Sequence, residues 1–121
     1  MEQPLAPYSV CNLAAVNLAA VADKENKAID FAKLKQTVET GVRMQDNVID
    51  ATPYFLEANE KQALGERRVG LGVMGLHDLL IYCETEYGSK EGNELVDQIF
   101  ETIATTAYRT SIELAKSILV I

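Results

Sequence analysis

The sequence contains no tryptophan, a single histidine, His77, and only two cysteines, Cys11 and Cys83. The lone histidine excludes any zinc site built on histidine pairs, and the cysteines form no C-x-x-C. Without a disulfide framework a reducing, cytoplasmic setting is the default. The chain is also poor in positive charge, with 11 Lys and Arg against 18 Asp and Glu and a formal net charge of -7. Binding to nucleic acid needs a basic surface, so no nucleic-acid partner is expected. Long apolar runs are missing too. None approaches the roughly 20 residues that cross a bilayer, and there is no basic amphipathic helix, so no membrane partner is expected. Met1–Val10 lacks the positive and apolar regions of a signal peptide.

What is present is an ordinary globular composition of 48% hydrophobic and 24% charged residues in 121 positions, enough for a single domain over 1–121. Pro4 and Pro7 make the leader extended or loop-like. Cys11–Ala22 is alanine-rich with an ambiguous period, readable as a helix face or as a short buried strand near Val10–Leu13. Asp23–Lys27 is a charged turn. Asp30 is an N-cap for a helix from about Phe31 to Ala51, whose apolar stripe runs Leu34, Val38, Val42, Gln45, Val48 and Ile49. Gly41 inside that helix implies a close helix crossing. A shorter helix over Leu56–Leu64 stops at Gly65. Ser89 caps a long helix from about Lys90 to Ser117, with Leu95, Val96, Ile99, Phe100, Ile103, Ala107, Ser111 and Leu114 on its buried face. The apolar end Ile118–Ile121 implies a covered terminus.

Between these helices lies Gly65–Leu80, GERRVGLGVMGLHDLL, in which Gly70, Gly72 and Gly75 interrupt an apolar run. Such glycines are costly unless backbones or ligands come close. Their spacing fits the dinucleotide pattern G-x-G-x-x-G. That pattern needs a strand before it and a helix after it. The preceding Ala63–Val69 does not read as an apolar strand, so a helix from about Gly72 to Glu84, packed tightly on a neighbour, is the preferred reading. A dinucleotide-binding module using Gly70, Gly72 and Gly75 stays as an alternative. The residues thus predict a mostly α fold with three main helices and little or no independent sheet.

Few residues announce chemistry. Cys11 reads either as a small buried hydrophobe or as a redox residue. Cys83 sits beside Glu84 and Glu86, charges that would disfavour a thiolate, and reads as structural. His77 reads as a surface or packing residue. Arg67 and Arg68 could hold a phosphate, but structural ion pairing, for instance with Glu66, is preferred. Asp46, Asn47 and Asp50 form a polar cluster expected to tie their helix to its neighbours.

The blocks EQPLAPYSVCNLAAVNLA, QDNVID, RRVGLGVMGLHDLL, YGSKEGNELVDQIF and ELAK, in that order, closely resemble the large catalytic subunit of ribonucleotide reductases over about Glu2–Lys116. The nearest flavour is the adenosylcobalamin-dependent class. The resemblance implies a helical fragment of a ten-stranded α/β barrel. In that family a cysteine radical on a central finger loop abstracts the ribose 3′ hydrogen, a carboxylate two residues on acts as base, and a further cysteine pair supplies electrons and ends as a disulfide. Glu2 falls on the catalytic glutamate. Cys11 falls on the downstream member of the redox pair. The radical cysteine would precede Met1, and the upstream redox partner has no counterpart here. Met1 stands where the family has glycine, Ala14 and Ala15 replace the usual Gly-Ser, and Ser117–Ile121 diverges.

The resemblance therefore implies a chain that does not reduce ribonucleotides alone and binds no cofactor alone, adenosylcobalamin being expected for the full-length family. The central glycines become helix-packing positions beside the barrel. The expected partners are the missing segments of the reductase subunit or a second copy of the chain. A non-catalytic, self-associating helical module is the alternative. Surface normally covered by the barrel should drive self-association, so size-exclusion chromatography at high concentration is expected to show oligomers; a strictly monomeric elution contradicts this.

Overall fold

A computed structural model describes residues 4–118. Glu2 and the end 119–121 lie outside the described residues, as does the Ile118 side chain. The element order is strand β1 (Asn12–Asn17), a single 3-10 turn (Leu18–Val21), strands β2 (Ala22–Asp23) and β3 (Ala28–Ile29), and helices α1 (Phe31–Ala51) and α2 (Glu57–Glu66). Strand β4 (Val69–Met74) and helices α3 (Leu76–Tyr82) and α4 (Lys90–Ile118) follow. No described helix is long and apolar enough to cross a membrane.

The helix boundaries follow capping chemistry. The Asp30 carboxylate accepts from the Lys33 N–H at 2.9 Å, so α1 starts where the sequence places it. The Ser89 hydroxyl accepts from the Gly92 N–H at 2.9 Å and opens α4. Asn17 does the same for the 3-10 turn, accepting from Ala19 N–H at 3.1 Å. The charged turn after β2 is wound around Asp23, whose carboxylate accepts from the backbone of Glu25 and Asn26 and from the Asn26 amide. Helix α2 runs past Gly65 and ends at Arg67, which adopts the left-handed conformation at φ 45°. The stop is thus an arginine, held there by ion pairs described below.

The central glycine stretch departs most from the sequence expectation. In place of a helix from Gly72, Val69–Met74 is a strand, and only Leu76–Tyr82 is helical. The residues alternate, with Val69, Leu71 and Val73 directed toward the helices and Gly70, Gly72 and Met74 on the opposite face. Period-two alternation with interrupting glycines disfavours a helix. Gly75, at φ 73°, is the left-handed hinge between strand and helix. Strand β4 pairs in parallel with β1, from Asn12 opposite Val69 to Asn17 opposite Met74. The chain is mostly helical, as expected, with four helices in place of three main ones and only a small sheet, a two-stranded parallel pair beside a short β2–β3 hairpin.

The core lies on one face of this sheet. Val16, Leu18, Val21, Leu34, Val38, Leu79, Ile99 and Ile103 form one buried cluster, with Leu71 and Val73 packed against it. Gly41 serves a close contact of a different kind from the one expected. A Cβ there would lie 3.3 Å from the Leu71 Cδ1, so it admits a side chain of β4 rather than a crossing helix. Val48, Phe100 and Ser111, placed on buried faces by periodicity, are exposed. The other face of the sheet carries Leu13, 78% exposed, Met74, 57% exposed, Ala15 and Gly72. Nothing among the described residues covers it, although parallel sheets are normally covered on both faces.

Leu34, fully buried in the cluster, is expected to cost about 2–5 kcal/mol on replacement by alanine, as cavity-forming core substitutions do. Urea unfolding followed by circular dichroism measures this, and a loss well below that range would show that the α1 contact is not part of the core.

Candidate functional site

Cys11 and the groups that hold its segment lie where β1 and β4 begin. Cys11, half-buried, immediately precedes β1, and alternation along the strand places it on the face shared by Leu13 and Ala15. Gly70 lies beside it. A Cβ built at Gly70 would stand 2.8 Å from Leu13 Cδ2 and 3.5 Å from Cys11 Sγ. The glycine thus keeps open the space next to the thiol, on the uncovered face of the sheet.

Three groups hold this strand head. The Ser9 hydroxyl donates to the Glu66 carboxylate, which also accepts from Gln62 and from Arg68. These bonds, the Ser9 bond first, hold the Glu66 carboxyl below its usual range. Asn59 donates to the Tyr8 carbonyl at 2.8 Å, and Tyr8 turns the chain in the left-handed region at φ 61°. The third group is Gln45, on α1 and 2% exposed. Its Nε2 donates to the Asn12 carbonyl at 3.0 Å and to the Gly70 carbonyl at 2.9 Å, bridging both strands. The Asn12 side-chain amide returns a bond to the Gln45 backbone carbonyl at 3.0 Å.

Arg67 anchors the approach to β4. Its guanidinium donates to Asp46 at 2.8 Å and to both carboxylate oxygens of Asp50 at 2.8 and 3.0 Å. The Arg67 bond lowers the Asp50 carboxyl, and the two carboxylates together push the guanidinium further up. The expected tie between the Asp46–Asp50 cluster and its neighbours is therefore made by Arg67. Arg68 pairs Glu66 at 3.1 Å, as ion pairing had suggested, and both arginines are engaged within the chain.

The remaining candidates are placed apart from this cluster. Cys83 packs at the edge of the core, and both cysteines are free thiols. Burial pushes the Cys83 thiol up, rather than the Glu84 and Glu86 charges invoked from sequence. His77 is exposed and stands against Tyr87 with ring centroids 5.4 Å apart. Among the described residues no group of three or more His, Cys, Asp and Glu could hold a metal ion. The dinucleotide reading meets its spacing but not its geometry. Gly70 and Gly72 lie inside β4 instead of forming a phosphate-cradling loop after it.

Ser9 and Glu66 carry no sequence signal, being 57 residues apart. Gln45 had one, since a polar residue in the apolar stripe of α1 must find partners once buried.

The ribonucleotide reductase barrel domain matches residues 1–118. The vitamin B12-dependent ribonucleoside-diphosphate reductase of Thermoplasma acidophilum is 40% identical over 115 residues, covering 95% of this chain and 15% of that protein. The corresponding Mycobacterium tuberculosis reductase is 35% identical over 115 residues, 95% of this chain and 16% of that protein. The ribonucleoside-diphosphate reductase subunit alpha of Chlamydia pneumoniae is 41% identical over 108 residues, 89% of this chain and 10% of that protein. The chain belongs to the ribonucleotide reductase barrel-domain family. It spans about a sixth or less of the length of these relatives.

Two outcomes follow. Gly70→Ala should fold, because the exposed Leu13 side chain can swing aside, whereas Gly70→Val should slow alkylation of Cys11 by iodoacetamide several-fold. Mass spectrometry reads the rate, and equal rates in wild type and Gly70→Val would remove the glycine from the site. The Asp50 carboxyl is lowered by folding, so its contribution is present above the ordinary carboxylate range and is lost as pH falls through the folded value. Arg67→Gln is therefore expected to lower Tm at neutral pH, with the gap to wild type closing as pH drops below about 4; a gap independent of pH in a thermal melt would show that the ion pairs contribute nothing.

Proposed function

We propose that this chain supplies the catalytic barrel of a ribonucleotide reductase with one cysteine of its redox pair, Cys11, and with its glutamate base, Glu2. In this reading it reduces ribonucleotides only together with the rest of the subunit. The supporting observation is the position of Cys11 at the head of β1, on the uncovered sheet face, with Gly70 leaving the thiol unobstructed. A face left bare by this chain is where substrate and the remaining barrel would be brought to the thiol. A groove of about 420 Å³ along the free edge of β1, bordered by Ala14, Lys33, Thr37 and Met44, supports continuation of the sheet by further strands.

The chemistry assigned to the thiol is two-electron reduction. Two cysteine thiols lose two protons and two electrons and form one S–S bond. The ribose 2′ carbon exchanges its hydroxyl for hydrogen, and the hydroxyl leaves as water. Cys11 is one of the two thiols. Glu2 moves a proton at the ribose hydroxyl groups as general base. The Ser9–Glu66 bond and the Gln45 bridge keep the Cys11 strand head in register while this occurs.

Two of the relatives are named for vitamin B12 dependence, and adenosylcobalamin is the radical source proposed for the full subunit. The described residues do not suit a cobalt site, with no ligating cluster and with His77 packed on Tyr87. The cofactor is assigned to the remainder of the subunit. The exposed Leu13 and Met74 equally support self-association when that remainder is absent.

The test is ribonucleotide reduction with adenosylcobalamin and a dithiol, by the chain alone and with fragments supplying the missing parts. Turnover is expected only in the mixture. There Glu2→Gln should lower it by about 10²–10⁴-fold, the range of general-base catalysis, and Cys11→Ser should abolish dithiol-dependent turnover. Turnover by the chain alone, or an unaffected Cys11→Ser mixture, would overturn the proposal.

A further inference from the structure

Beside its place in the β1–β4 ladder, the Asn12 carbonyl is approached by two side-chain donors. Cys11 Sγ lies 3.7 Å from it, at hydrogen-bonding distance for a thiol, and the Gln45 Nε2 donates to it at 3.0 Å. Gln45 is 2% exposed, and its Oε1 has no hydrogen-bond partner. A buried, unpaired carbonyl oxygen is unfavourable, and an apolar side chain of similar volume would avoid it. What the glutamine adds is its Nε2, which reaches a carbonyl on each strand and no other group.

We infer that Gln45 is a positioning residue for the Cys11 thiol, acting through the Asn12 carbonyl. This rests on the reading of Cys11 as a redox thiol. The amide N–H occupies part of the carbonyl's accepting capacity and fixes the plane of the Asn12 peptide. The thiol hydrogen is therefore held only weakly, and the sulfur remains available for attack on a disulfide. Without the amide, the carbonyl accepts the thiol hydrogen more fully. A stronger bond from the thiol must be broken before the sulfur can attack, which slows exchange. The second amide hydrogen, on the Gly70 carbonyl, ties the same adjustment to the strand that leaves room beside the sulfur.

The experiment uses the 121-residue chain with Cys83→Ala, so that Cys11 is the single thiol. In Gln45→Met the infrared S–H stretch of Cys11 is expected to move to lower wavenumber. Thiol–disulfide exchange with oxidised glutathione, in which the Cys11 sulfur bonds to one glutathione sulfur and the other leaves as thiolate, is expected to slow by about two- to tenfold, the span of one net hydrogen bond. Val42→Ala, a core change one turn away on α1, should leave the S–H band in place. An unmoved band and rate in folded Gln45→Met, or an equal band shift in Val42→Ala, would overturn the inference. A measurement without substitution at Gln45 guards against misfolding: alkylation of Cys11 should shift the Gln45 side-chain amide resonances in NMR, and unchanged resonances would also overturn it. Failure of the redox reading looks different. A Cys11→Ser mixture that still turns over removes the reductase role of Cys11 and leaves the Gln45 coupling standing, whereas an unmoved S–H band does the reverse.

Discussion

Two parallel strands, β1 and β4, impose the layout of everything between and after them. Parallel neighbours cannot be joined by a tight turn, so the chain must leave the end of β1 and return to the start of β4 by a crossover. The β2–β3 hairpin, α1 and α2 are that crossover. Because α1 is amphipathic, it lies with Leu34 and Val38 in the core and Val42 buried near Val69, which brings Gln45 over the strand head and Asp46 and Asp50 within reach of Arg67. Helices α3 and α4 then close the same side through Leu79, Ile99 and Ile103. All the described cover lies on one face, and the opposite face is the one that carries the cysteine.

This asymmetry gives the glycines of the RRVGLGVMGL stretch separate duties. Gly75 makes a left-handed hinge that a side chain would strain. Gly70 preserves space beside a sulfur, and Gly72 extends the same low surface along β4. The arginines before them serve the fold. Arg67 converts an unusual backbone conformation for a non-glycine residue into an ion-paired junction between α1 and β4. Arg68 joins Glu66 and, through it, the segment leading to Cys11.

Much of this was legible in the sequence wherever the signal is local. Asp30 and Ser89 mark helix starts by short-range capping, and the three- and four-residue steps of α1 and α4 follow from a face that must be buried. Glu2 became a candidate only through family resemblance, and the same resemblance decided between the two chemical readings of Cys11, since a lone cysteine in an alanine-rich run favours neither. Strand β4 was misread because its alternation is half glycine and its partner lies in a distant segment that itself had no clear period. Val48 and Phe100 continue the apolar stripes, yet they face outward in this chain. Periodicity reports which face is apolar, not what covers it. The Ser9–Glu66 and Gln45 bonds join residues whose proximity exists only after the ladder has formed.

That ladder also sets a schedule. Every β1–β4 pair spans the same 57 residues as Ser9 and Glu66, so the helices can form locally while the strands wait on a long loop closure. During synthesis at about 5–20 residues per second, Cys11 leaves the ribosome roughly 3–12 seconds before β4. For that interval the thiol lacks the Gly70 strand beside it. The nascent chain therefore crosses a window in which its free cysteine is open to whatever oxidant it meets.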